Sequence, residues 1–82
     1  MERLKSAQRV VGLKQSKQAV IAGKAELVFA AEDADAWVIK PFLALCREHG
    51  AEVVSVPTMK ELAKACKVEV PTACAVILGK DA

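Results

Sequence analysis

Eighty-two residues, 54% of them hydrophobic, are expected to make one small domain spanning 1–82, with enough apolar content for a core. No apolar run approaches the ~20 residues of a membrane span, and MERLKSAQRVV lacks the features of a secretory signal, so the expectation is a cytoplasmic protein without a membrane partner. The net charge of +2 is unevenly spread: residues 1–24 hold Arg3, Lys5, Arg9, Lys14, Lys17 and Lys24 against Glu2 alone, while the remainder carries six cations and nine acids.

In chain order, Glu2 to Gln8 is polar with Leu4 and Ala7 at helical spacing, which predicts a short helix. A brief strand at Val10–Val11 is closed by Gly12. Lys14 to Ala22 reads as a helix, and Gly23 stands where a left-handed C-terminal residue is wanted. Leu27 to Ala31 is a continuous apolar run of strand length, the pattern of a buried central strand. Glu32-Asp33-Ala34-Asp35 turns the chain, and Asp35 is placed to cap a helix that reaches His49 and stops at Gly50. Pro41 either marks the true start of that helix or bends it. Glu52 to Val56 alternates as a strand and ends at Pro57. Thr58 caps a helix through Cys66, with Glu61 completing a capping box, and Cys74 to Leu78 is the last strand. Four helices and four short strands in alternation predict an α/β fold, a sheet layered between helices.

A basic end on a nearly neutral body fits two readings. Cations gathered on one face neutralise phosphates, but cationic helix faces also simply keep a protein in solution. On the helix after Gly12, Lys14, Gln15, Gln18 and Ala22 share one arc at ~100° per residue, and Leu13, Ser16 and Val20 share the other. Lysine offers a point charge to phosphate, and the glutamine amide offers a donor and an acceptor to a base edge. Gly12, without a Cβ, lets the N–H groups of the helix start approach an anionic backbone.

Little supports catalysis. His49 has no serine or carboxylate constellation, and no phosphate-binding or nucleophile motif occurs, so neither an enzyme nor a bound cofactor is expected. Cys46, Cys66 and Cys74 lack C-x-x-C spacing, which points to buried thiols and to no metal site. Trp37, beside Val38 and Ile39, reads as a core or rim anchor rather than a base-stacking platform.

GLKQSKQAV-IAGKAEL, VFAAEDAD, LALC and SVPTMKELAKAC-KVEVPTACAVI, taken in order, resemble the kink-turn-binding ribosomal protein family of archaea and eukaryotes, the L-seven-Ae-like family, from Gly12 to Ile77. Gly12, Gly23, Ala31 and Asp33 match the family pattern in place. Lys14 and Gln15 stand where the family has Asn-Glu, as in its short bacterial members, and Gln18 stands where it has a lysine, with Lys17 next door.

The resemblance implies a three-layer α-β-α sandwich with a small four-stranded mixed sheet. It also implies recognition of a kinked RNA helix with tandem sheared G·A pairs, without catalysis, by a ribosome-associated protein. Gly12, Lys14, Gln15, Lys17 and Gln18 correspond to the groove-reading segment, and the Gln18 departure weakens the expected charge there. Val68, Glu69, Val70 and Pro71 correspond to a loop that packs on an extruded nucleotide, with Val70 in place of an arginine common in longer members. Asp33, Asp35 and Lys60 fall at further contact or supporting positions; for the two aspartates, helix capping is an equal alternative. The expected partner is structured RNA, ribosomal or leader, bound by a protein that is monomeric without it. A protein–protein adaptor and a stand-alone substrate-holding domain for an RNA-modifying enzyme are the rival readings.

Overall fold

The structure, a computed structural model, describes residues 8–79. Short β1 (Arg9–Val11) leads through Gly12 into α1 (Leu13–Ile21), and β2 (Ala25–Ala31), α2 (Ala36–Glu48), β3 (Val53–Val56), α3 (Met59–Cys66) and β4 (Cys74–Leu78) follow in alternation. All seven elements lie within two residues of their expected bounds. The helix expected over Glu2 to Gln8 falls outside the described residues, apart from Gln8, which precedes β1 as irregular chain.

The strands form one mixed sheet in the order β1-β4-β2-β3. β4 runs antiparallel to both β1 and β2, and β2 runs parallel to β3. Alternation along the strands splits the apolar residues between two faces. Val28, Ala30, Cys74 and Val76 meet Ala19 and Val20 of α1 and Ile39, Phe42 and Cys46 of α2 on one face. Phe29, Ala31, Ala75 and Ile77 meet Leu62, Ala65 and Cys66 of α3 on the other. Two helices, the sheet and one helix are therefore the three layers, and they explain why β2 and β4 are nearly unbroken apolar runs: both are covered on both sides.

Local chemistry sets the helix ends. Asp35 accepts a hydrogen bond from the Trp37 N–H at 2.9 Å, and Thr58 Oγ1 accepts from the Glu61 N–H at 3.0 Å. Gly23, with φ 74°, follows α1 and closes it through Lys24 N–H to Ala19 O at 3.0 Å. The question of Pro41 is resolved as an interior residue of α2.

Trp37 does not anchor the core. It is 89% exposed, because α2 turns Ile39, Phe42 and Cys46 inward and Trp37 lies nearly opposite them at ~100° per residue. The three cysteines are free and buried. Burial pushes the Cys46 thiol up to about 11, with Cys74 nearby adding to the shift. Burial also raises Cys66, where Arg9 opposes it, and Cys74, where the Ser16 hydroxyl opposes it. Such thiols are poor nucleophiles and behave as core residues. Among the described residues, no helix is long and apolar enough to cross a membrane, and no cluster of three or more His, Cys, Asp or Glu is placed to hold a metal.

Candidate nucleic-acid interface

All three described helices begin at the same end of the sheet, where Val11, Ala31 and Val56 finish and Cys74 begins. Hydrogen bonds fasten the connections there. Gly12 N–H donates to Cys74 O at 3.0 Å, Ala31 N–H to Ala73 O at 2.8 Å, and Glu32 N–H to Val56 O at 2.7 Å. Asp33 Oδ1 accepts from the Met59 N–H at 2.7 Å, tying the β2–α2 turn to the start of α3. Thr72, buried, donates its hydroxyl to Cys74 O at 3.0 Å and its N–H to Met59 O at 3.4 Å. The start of α1, the 32–35 turn, the start of α3 and the end of the 67–73 loop are thus held together.

The three helix N-termini differ electrostatically. Each exposes unpaired N–H groups and carries the positive end of a macrodipole. Those of α2 and α3 are met by Asp35, and by Thr58 with Asp33. The α1 terminus has no side-chain cap and no acid in its first turn, because its N-cap is Gly12. Gly12 has φ 99° and ψ 157°, a conformation essentially restricted to glycine, and a Cβ built there would meet nothing within 4 Å. The backbone geometry requires the glycine, and the space before the helix is left open.

Burial on α1 follows the expected arcs. Ser16, Ala19 and Val20 are buried, and Lys14, Gln15, Lys17 and Gln18 are all exposed. Ser16 Oγ is fully buried without a conventional hydrogen-bond partner; its polar neighbour is the Cys74 thiol, a weak one. Lys60 is exposed in the first turn of α3.

The loop after α3 divides. Val68 is half-buried against the core on the α3 side of the sheet and supports the loop, whereas Glu69, Val70 and Pro71 are exposed, Val70 at 68%. Lys67, with φ 60°, is a left-handed residue at the loop's entry. Asp33 and Asp35 both have their carboxylates on helix N-termini, so their structural part is to position the 32–35 turn. Arg9 belongs elsewhere than its place in the basic N-terminal segment implies. Its Nη2 donates to Cys66 O at 2.6 Å, capping the C-terminus of α3.

Comparison with known proteins agrees with this architecture. Residues 1–82 match the ribosomal protein L7Ae/L30e/S12e/Gadd45 family. A protein of Geobacillus thermodenitrificans named RNA-binding protein is 40% identical over 75 residues, 92% of each chain. The RNA-binding protein YbxF of Geobacillus stearothermophilus shows the same identity and coverage, 40% and 92% of each chain. A relative from Caldanaerobacter subterraneus, also named an RNA-binding protein, is 42% identical over 67 residues, 82% of each chain. The solved structure of the Giardia lamblia 15.5kD RNA binding protein superposes with a TM-score of 0.84 at 32% identity, covering 98% of this chain and 68% of that one. Family match, sequence relatives and superposed fold agree, and this chain is a member of the ribosomal protein L7Ae/L30e/S12e/Gadd45 family.

Proposed function

We propose that this chain is a non-catalytic, cytoplasmic RNA-binding protein, monomeric without its RNA, that recognises kink-turn motifs in ribosome-associated or leader RNA. The observation that carries the reading is the uncapped N-terminus of α1, flanked by exposed Lys14 and Gln15 and joined through Gly12 to the end of the 67–73 loop. A phosphate at the bend satisfies the open N–H groups of α1. Lys14 and Gln15 take the guanine edges in the widened groove, Lys17 and Lys60 neutralise flanking phosphates, and Val70 with Pro71 packs on the extruded nucleotide. Gln18 contributes hydrogen bonds without charge. Asp33 and Asp35 hold the scaffold, Val68 holds the loop, and the exposed Glu69 carries a charge that is unfavourable near phosphate.

RNA that populates the bend only in part is trapped in it, since a ligand shifts an equilibrium toward the state it binds better. An RNA carrying donor and acceptor dyes at its two ends tests this. Energy transfer rises on addition of protein if the bend is captured. Binding of the RNA at constant transfer contradicts the reading.

A further inference from the structure

The proposed interface uses α1 and the 67–73 loop, yet the most exposed large apolar side chain among the described residues, Trp37 at 89%, stands on α2. Nothing in the core accounts for it, since α2 already packs through Ile39, Phe42 and Cys46. Three features gather around it. The indole sits in the first turn of α2, where the backbone N–H of Trp37 donates to Asp35 Oδ1, so the main chain that carries the ring is fixed by the cap. Ala36, Lys40 and Pro41 form a shallow concavity with it, which gives a flat ring a neighbouring ammonium about one turn along. Pro41 lines the same concavity and adds an apolar ring to it. A π-face, a cation and an apolar rim thus share one patch.

We propose that Trp37 is a stacking platform for an unpaired base of the bound RNA, with Lys40 at its phosphate. The chemistry of the patch is that of single-strand binding, in which an aromatic face takes the base and a nearby cation tracks the backbone. Placement supports the same occupant. α1 and α2 lie side by side on one face of the sheet and begin at the same end, so Trp37, in the first turn of α2, stands at the end of the molecule where Lys14 and Gln15 begin α1, while Lys40 faces the β3 edge. Glu32 lines the adjoining groove with Lys40 and partly offsets its charge, which leaves stacking as the main contribution.

The platform presupposes RNA binding as proposed above, and the test separates the two. Trp37 is the sole tryptophan, and the sequence has no tyrosine, so intrinsic emission reports this ring. RNA with unpaired nucleotides beside the bend is titrated into the protein while binding is followed independently through a label on the RNA. Quenching of the emission is expected to track occupancy. Trp37→Ala is expected to lose roughly 5- to 150-fold in affinity and Trp37→Phe to keep most of it. The ring is exposed, so both variants should fold as the parent does, checked by circular dichroism. RNA bound with unchanged emission, or with equal affinity by Trp37→Ala, overturns the platform and leaves the α1 reading standing. No binding of labelled RNA by the parent protein overturns both.

Discussion

Gly12 is the residue at which chain geometry and the proposed chemistry meet. Its φ of 99° is forbidden to side chains by backbone sterics alone, since the space around its missing Cβ is empty. Gly12→Ala is therefore expected to lower stability by about 1–3 kcal/mol, read as a reduced urea midpoint with an unchanged slope. An unchanged midpoint would mean that this backbone conformation is not the native one. Single residues were legible in the sequence where the signal was local. Asp35 and Thr58 precede the helices they cap by one position, and Gly23 follows the Ala22 C-cap of α1. Long-range partners were not legible. Asp33 reaches Met59 26 positions away, and Arg9 reaches Cys66 57 positions away; no local pattern distinguishes these side chains from ordinary surface charges. Lys67 adopts φ 60° where glycine would be the usual sign, so its turn carried no mark either.

At the scale of elements, hydrophobic spacing did most of the work. Ser16, Ala19 and Val20 at helical intervals set the inner face of α1, and the exposed stripe follows as its complement. Trp37 keeps apolar company in sequence beside Val38 and Ile39, but its place on the wheel, opposite Ile39 and Phe42, turns it outward. The 67–73 loop shows the opposite limit. Its sequence reads as a plain connection, and only the hydrogen bonds of Thr72 with Met59, Ala73 with Ala31 and Cys74 with Gly12 place its end beside the starts of all three described helices. Val70, exposed, contributes nothing visible to the core, so Val70→Asp is expected to change stability by less than about 0.5 kcal/mol. The same change puts a carboxylate where the proposed mode of binding places the extruded nucleotide, and should weaken RNA binding by roughly 1 kcal/mol, or about fivefold. Unchanged affinity in a folded variant would remove the loop from the interface.

For the molecule as a whole, the alternation of elements was readable, but the order β1-β4-β2-β3 was not, because pairing the last strand between the first two is a non-local choice. That order matters: it brings Cys74 beside Gly12 and gathers the starts of three helices at one end. Two of those starts are neutralised internally and one is open, which concentrates the attraction for an anion on α1. A protein-docking role would leave binding nearly indifferent to salt, whereas phosphate contacts by lysines release counterions and make affinity fall steeply as salt rises. The most direct measurement is a titration of labelled kink-turn RNA beside the same RNA with its sheared G·A pairs replaced by Watson–Crick pairs, at two salt concentrations, with parent protein and Gln15→Ala. The account predicts tighter binding of the kinked RNA, steep weakening of both complexes with salt, and a preference reduced by about 1–3 kcal/mol in the variant. Equal affinity of the parent protein for the kinked and the straight RNA would contradict it.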